Sequence, residues 1–176
     1  KQLIGNYLYY IASRPGEEYK EGLREFLPKY ILSRKDIWTA SEDKYKIIGY
    51  AEILTDLLSK ASPGKSIPDL KIAGEYVKGK RLKSKTKNLR KLSGKENIII
   101  FHTEGCHVCH AEIKAARELA AANSDVRVFL INVDRVIESD PLLFADLIDL
   151  FDLSALPYII QTDKNGCIVR CYMTLQ

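Results

Sequence analysis

The chain has 176 residues, of which 46% are hydrophobic and 28% are charged, and its net charge is +4. This is the composition of one globular domain with an appendage, and it excludes an intrinsically disordered chain. No apolar run approaches the roughly 18 residues that cross a bilayer, and no segment has the pattern of a secretory signal. Since the chain begins at Lys1 and not at Met, we expect that an upstream segment, with any targeting information, was processed or trimmed away.

Three helical patterns precede a cluster of Pro, Gly and Ser at residues 62–68. Apolar residues recur at helical spacing over residues 3–11 and again over residues 19–31. Pro28 falls inside the second pattern and should kink or split that helix. A third helix is predicted over residues 41–58, with an acidic first turn and an apolar stripe.

The Pro/Gly/Ser cluster predicts a domain boundary, because such residues interrupt regular structure. We therefore expect a helical N-terminal segment over residues 1–61 and a second domain over residues 62–176. No residue cluster in the first segment suggests catalysis, so we interpret it as a helical packing module.

The positive charge is concentrated in one stretch, residues 78–95, which contains nine Lys or Arg and no acid. A basic stripe can bind nucleic acid or a membrane surface. This one has no aromatic residue interleaved to stack on bases. It therefore predicts a solvated hairpin and loop, and no nucleic-acid partner.

Beyond the cluster, strand patterns alternate with helical ones. An unbroken apolar run predicts a buried strand ahead of the two cysteines, and an Asn-Gly pair predicts a tight hairpin near the end of the chain. In chain order the pattern predicts a hairpin that begins at about 70 and turns at 76–80, a strand at 98–101, a helix to about 122 and a strand at 126–132. A helix after 141, a strand at 156–160 and a return strand at 167–173 follow.

Cys106-His107-Val108-Cys109 lies at the junction of the buried strand and the alanine-rich helix. Two cysteines separated by two residues at such a junction form a thiol–disulfide exchange motif. Free N–H groups at the helix N-terminus stabilise a thiolate on Cys106, and Cys109, one turn on, is close enough to form a disulfide with it. His107 is predicted to stabilise the reduced form and make the pair more oxidising, the alternative being an exposed imidazole without a partner.

Residues 66–176 resemble the thioredoxin-like superfamily, and within it the TlpA-like group of extracytoplasmic thiol–disulfide proteins. The resemblance rests on the strand that leads into the CxxC motif, Glu112 three residues past the second cysteine, Leu156-Pro157 at the start of a strand, the Asp-Lys-Asn-Gly-Cys-Ile-Val hairpin at 163–169 and the segment 64–72 ahead of the domain.

The resemblance implies an α/β thioredoxin-like fold, a mixed sheet flanked by helices, and a thiol–disulfide oxidoreductase activity. Cys106 would be the attacking cysteine and Cys109 the resolving one. Pro157 would be cis and face the disulfide, where it shapes the substrate groove. Glu112 would manage protons near the buried cysteine, the alternative being a glutamate exposed on the helix surface.

The resemblance also implies how such an enzyme works with other molecules. It would need no metal and no organic cofactor. Its partners would be protein thiols or disulfides and a redox partner protein. Its location would be extracytoplasmic, in a bacterial periplasm or tethered to a membrane.

The chain departs from the family pattern at four places. Gly105 stands where the family usually has Trp, His102 where an aromatic is common, and Ile100 where thioredoxins carry a buried aspartate. The sequence ends at Gln176, where a thioredoxin would add a final helix. We therefore expect an N-terminal helix to cover one sheet face, since an open apolar face promotes aggregation.

Three other interpretations of the same residues remain open. Cys106 to His110 is a CxxCH string that could attach haem, with His110 and one of Met173, His102 or His107 as axial ligands. His102, Cys106, His107, Cys109 and His110 could hold zinc, although no second ligand pair follows. The domain could also be a binding module that keeps the fold without efficient catalysis.

The two remaining cysteines, Cys167 and Cys171, fall on one predicted strand. At four residues apart they would lie roughly 13 Å from each other, beyond disulfide reach. We expect them to be small buried side chains on one face of the sheet.

Overall fold

The computed structural model describes residues 1–176, which divide into two compact units, residues 1–60 and 61–176. The first unit is entirely helical. Its elements are α1 (Gln2–Ser13), α2 (Glu17–Phe26), a π-helical turn (Leu27–Leu32), α3 (Ser41–Asp43), a second π-helical turn (Lys44–Gly49) and α4 (Tyr50–Ser59). The three predicted helices are thus present, and the second and third each contain a π-helical turn.

The second helix changes at Pro28, as predicted: its α-helical part ends at Phe26 and a π-helical turn follows, so the helical segment is interrupted at this proline. Pro28 lies in the first π-helical turn, where the N–H of Ser33 donates to the Pro28 carbonyl at 3.1 Å. A proline has no N–H to donate to the carbonyl four residues before it, so the regular α-helical pattern of hydrogen bonds is interrupted here. The apolar stripe nevertheless continues past Pro28, and Leu27 and Ile31 are both buried.

The second unit contains one six-stranded sheet with helices on its faces. Its elements are β1 (Lys71–Lys78), β2 (Arg81–Asn88), β3 (Glu96–His102), α5 (His107–Ala122), β4 (Val126–Asn132), α6 (Val133–Ser139), α7 (Pro141–Leu150), β5 (Tyr158–Asp163) and β6 (Ile168–Cys171). The strand order is β2-β1-β4-β3-β5-β6. Only β3 and β4 pair in parallel, because α5 carries the chain back between them.

This arrangement confirms the α/β class and the strand and helix order expected from the sequence, with one addition. The short helix α6 directly follows β4 and was not predicted. Asn132 caps it, since its side chain accepts a hydrogen bond from the N–H of Arg135 at 3.2 Å.

The core lies on both faces of the sheet. On one face, Ile98 and Ile100 pack with Ala116 and Ala120 of α5. On the other face, Phe101 packs against the two helices that follow β4, and its ring centroid lies 4.9 Å from that of Phe151. Successive side chains of β3 therefore point in turn toward α5 on one face and toward α6 and α7 on the other.

Both sheet faces have cover from within residues 61–176. Met173 is buried against the α5 side, and Leu175 packs there too. The packing of an N-terminal helix on the sheet stays a prediction. No helix in the structure combines the length and the apolar character needed to cross a membrane.

Candidate redox site

Cys106 and Cys109 form a disulfide at the N-terminus of α5, with their Cα atoms 5.2 Å apart. Cys106 is the N-cap residue, and its sulfur accepts a hydrogen bond from the Cys109 N–H at 3.1 Å. The same N–H and the positive end of the helix dipole would stabilise a Cys106 thiolate after reduction. Cys106 is half-buried and Cys109 is fully buried. Of the two cysteines, only Cys106 therefore has surface exposed to another molecule.

The turn between β3 and α5 depends on Gly105. Its φ of +73° is in the left-handed region, and a Cβ built there would have no heavy atom within 4 Å. The position thus has room for a side chain, but the backbone conformation disfavours one. A Trp here, as the resemblance would suggest, would be strained at this φ, which gives the glycine at this position a physical reason.

The start of α6 anchors the same turn from the β4 side. The N–H of Glu104 donates to Asp134 Oδ2 at 3.3 Å, and Asn132 Nδ2 donates to Glu104 Oε1 at 3.4 Å. Sequence reasoning missed these anchoring residues because α6 itself was not predicted. Asn132, a preferred N-cap residue, followed by Asp134 in the first turn, was the available signal.

Pro157 lies at the same edge of the sheet as the disulfide. Because Phe101 pairs with Tyr158 across β3 and β5, the residue before Tyr158 lies beside the end of β3. The Leu156–Pro157 peptide bond is cis, as the resemblance implies. The part that Pro157 plays in a substrate groove stays a prediction.

The segment leading to Pro157 is held by a buried carboxylate. Asp152 accepts a hydrogen bond from the Tyr172 hydroxyl at 2.7 Å and another from the Ser154 N–H at 3.1 Å. Burial, the largest cause, and the hydrogen bond to Asp152, the second, raise the pKa of Tyr172 far above its ordinary value of 10.0. This hydroxyl therefore remains a donor across the physiological range.

Glu112 is buried, at 3% exposure, so the alternative of a glutamate on the helix surface is wrong. It lies three residues beyond Cys109, which places both on one face of α5. Its Oε2 accepts a hydrogen bond from the Leu175 N–H at 2.7 Å. The carboxyl group thus joins α5 to the C-terminal segment, and its role in proton management stays a prediction.

The histidines around the motif have different environments. His107 is exposed at the first position of α5, and its tuning role stays a prediction. His102 is half-buried, and its Nε2 is enclosed without a hydrogen-bond partner. Burial is the main cause that lowers the pKa of His102. The charges of His110 and Arg135 lower it further, whereas Glu75 and the Thr103 backbone raise it. His102 is therefore neutral near pH 7.

The zinc and haem interpretations depend on the His and Cys residues of the motif and, for haem, on an axial ligand such as Met173. No group of three or more His, Cys, Asp or Glu side chains is arranged to hold a metal ion. Met173, a potential axial ligand of a haem, is buried in the core with Ile98 and Ala116. The two motif cysteines are joined to each other, which is the oxidised state of an exchange motif.

Cys167 and Cys171 are not paired with each other, as expected from their spacing. Cys171 is buried in the core, in agreement with the prediction. Cys167 is only half-buried and precedes β6, so the prediction of two buried cysteines on one strand is wrong for this residue. The chain is still in the hairpin at that point, where the N–H of Cys167 donates to Asp163 Oδ1 at 3.0 Å.

No protein-family model and no curated protein matches the chain. Among solved structures, a thioredoxin-like protein from Bacteroides caccae matches with a TM-score of 0.53 at 16% identity, over 90% of this chain and 58% of that one. The fold is thioredoxin-like. The fold predicted from the CxxC motif and its flanking elements is thereby confirmed.

Two shorter matches come from the same genus. The thioredoxin domain of a thiol-disulfide oxidoreductase from Bacteroides vulgatus has a TM-score of 0.46 at 18% identity, over 65% of this chain and 90% of that one. The C-terminal domain of a protein from Bacteroides fragilis has a TM-score of 0.48 at 19% identity, over 67% of this chain and 94% of that one. At such identities a likeness concerns the fold and not the activity.

Proposed function

We propose that this protein is a thiol–disulfide oxidoreductase that exchanges disulfides with protein substrates through Cys106 and Cys109. The observation that carries the proposal is the difference in exposure between the two bonded cysteines. Cys106 is half-buried at the helix N-terminus, whereas Cys109 has no exposed surface. An incoming thiolate or disulfide can therefore meet Cys106 and not Cys109.

In the reducing direction, the Cys106 thiolate attacks one sulfur of a substrate disulfide. A mixed disulfide forms and one substrate thiolate leaves. Cys109, as a thiolate, then attacks the Cys106 sulfur, which closes the internal disulfide and releases the second substrate thiolate. Two electrons pass from the dithiol to the substrate, and a dithiol on a redox partner protein restores the reduced pair. The oxidising direction is the reverse sequence.

Three further residues have proposed roles in this cycle. Glu112, buried on the Cys109 side of α5, would exchange a proton with the resolving thiol. His107 would stabilise the Cys106 thiolate when protonated. Pro157 would present its backbone to the substrate chain beside the disulfide.

The proposed setting follows the TlpA-like resemblance. The protein would act outside the cytoplasm, in a periplasm or tethered to a membrane, where disulfides form and persist. The helical residues 1–61 would then be an extension of a catalytic domain over residues 62–176. No metal or organic cofactor enters the proposed reaction.

Insulin reduction with dithiothreitol tests the activity. We expect the wild-type protein to accelerate the reaction, Cys106→Ser to abolish the acceleration, and Cys167→Ser, a matched change of a free cysteine outside the motif, to retain it. Equal rates for the wild type and Cys106→Ser would favour the second candidate, a binding module without efficient catalysis.

Trapping separates the two cysteine roles. Reduced Cys109→Ser should hold a stable mixed disulfide with a peptide disulfide, because nothing resolves it. Reduced Cys106→Ser should form this adduct far more slowly, since its remaining thiol is buried. A redox titration against glutathione then gives the direction. A potential near about −270 mV favours a reductase, and one near about −120 to −180 mV favours an oxidase or isomerase.

A further inference from the structure

A cleft of about 350 Å³ opens between the β1–β2 hairpin and α6. β1 pairs with β4 only as far as Glu75 and Leu130, whereas β4 stays paired with β3 as far as Asn132. The pairing of β1 with β4 therefore stops two residues before the end of β4, at the same end of the sheet where β3 leads into the redox turn. No sequence signal marks this cleft, because its walls come from β1, β2, β4 and α6.

Two residues in the walls of the cleft also contact the redox turn. Asn132 Nδ2 lies 3.4 Å from Glu104 Oε1, and Arg135 Nη2 lies 3.8 Å from the same oxygen. Glu104 is two residues before Cys106. The cleft therefore borders the turn that carries the reactive sulfur, on the β4 side of the sheet.

The charges of the cleft favour an anion. Lys85 and Arg135 are both exposed and bring positive charge from opposite walls, and the one acid in the lining, Glu75, is half-buried. Ser139 adds a hydroxyl donor from the α6 wall. Lys83 and Lys87 lie in register on the same face of β2 as Lys85, which extends the positive field beyond the cleft.

Arg135 already faces a carboxylate, but only weakly. Its 3.8 Å separation from Glu104 is too long for a hydrogen bond, and the two side chains are 68% and 72% exposed. An exposed pair of this kind contributes little. A carboxylate from another molecule, placed between Arg135 and Lys85, would have two cationic partners. Its two oxygen atoms could accept a pair of parallel hydrogen bonds from the guanidinium.

We propose that this cleft is a subsite for an acidic side chain of the protein substrate, bound by Arg135 and Lys85 while the substrate sulfur reaches Cys106. The inference rests on the proposed function and names its substrate class, a polypeptide with an Asp or Glu near the reacting cysteine. Two residues of chain, the Glu104 side chain and the Arg135 guanidinium separate Cys106 from the bound carboxylate, a span of at most about 20 Å. The acid therefore lies within about six residues of the cysteine in an extended substrate.

Single-turnover reduction of matched peptide disulfides tests the subsite. The two peptides differ only in Glu or Gln three residues from the reacting cysteine, and the protein is reduced beforehand. We expect the Glu peptide to react about fivefold to tenfold faster at low salt, with the preference fading as salt is raised. Arg135→Gln and Lys85→Gln should each reduce the preference, whereas Lys91→Gln, an exposed cation of the same basic stretch outside the cleft, should not.

A neutral small disulfide, bis(2-hydroxyethyl) disulfide, separates this inference from the proposed function. All these variants should reduce it at the wild-type rate. If the wild type reduces this compound but reacts equally with both peptides, the subsite is wrong and the proposed function stands. If it reduces no disulfide, the proposed function fails, and the cleft is tested by binding alone.

For that binding test, a cysteine-free Glu peptide is titrated into the oxidised protein and followed by amide NMR shifts. Shifts confined to β1, β2 and α6 that weaken in Arg135→Gln support the subsite. The absence of such shifts overturns it. Inorganic phosphate is titrated in parallel, and shifts with phosphate but not with the peptide would also overturn it, since the cleft would then be a site for small anions.

Discussion

Replacing Gly74 by Ala should destabilise the sheet next to the cleft. A Cβ at this position would lie 2.5 Å from the Leu130 carbonyl oxygen and 2.8 Å from a ring carbon of Phe129. The ring can turn, but the carbonyl belongs to the paired backbone of β4, so the strands must move apart. Overpacking of this kind costs about 1–3 kcal/mol in the free energy of unfolding.

For a unit of residues 61–176, a loss of about 2 kcal/mol lowers the melting temperature by roughly 8 °C. Scanning calorimetry measures the shift. Gly79→Asn is the matched control in the same hairpin, because a side chain at Gly79 would have no heavy atom within 4 Å and Asn tolerates its φ of +60°. A Gly74→Ala protein that melts within about 1 °C of the wild type would refute the close approach of β1 and β4 as the reason for this glycine.

Two further changes test buried titratable groups of the candidate site. Glu112→Ala should lower the free energy of unfolding by about 2 kcal/mol in urea titrations, because the Leu175 N–H loses its acceptor. Glu112→Gln retains an acceptor oxygen and should cost less, so equal losses would contradict this role. Burial lowers the pKa of His102 below its ordinary value of 6.5. As the pH drops below about 6.5, the unfolded chain binds a proton at this residue more readily than the folded protein does. The free energy of unfolding should therefore fall in this range. His102→Gln should therefore show a smaller difference in melting temperature between pH 7.5 and pH 5 than the wild type, and an unchanged difference would count against a half-buried, neutral imidazole.

The strand, turn and helix that carry the motif could be predicted because their signals are local. The apolar run of β3 predicts a buried strand, and α5 ends at Ala122, where the sequence pattern places its end. Cys106 as an N-cap follows from the same local pattern. These signals lie within about 25 consecutive residues, and no distant contact changes them.

The features that the sequence did not reveal depend on distant contacts or on short elements. The acceptor role of Glu112 involves Leu175, 63 residues away, so helical periodicity could not distinguish a buried carboxylate from an exposed one. The helix α6 has seven residues and only two buried apolar side chains, Val133 and Val136, too few for a period to emerge. Cys167 was assigned to a strand, but the hairpin extends one residue further than the Asn-Gly pair indicated.

The bare α-carbon of Gly105 has a consequence for selectivity. An indole at that place would shield one side of the neighbouring sulfur and would restrict the angle from which a polypeptide approaches it. With only hydrogen there, the polypeptides of the proposed exchange reaction would meet no side chain at this position. Selectivity in that reaction would then depend on contacts farther out, such as the proposed subsite on the β4 flank.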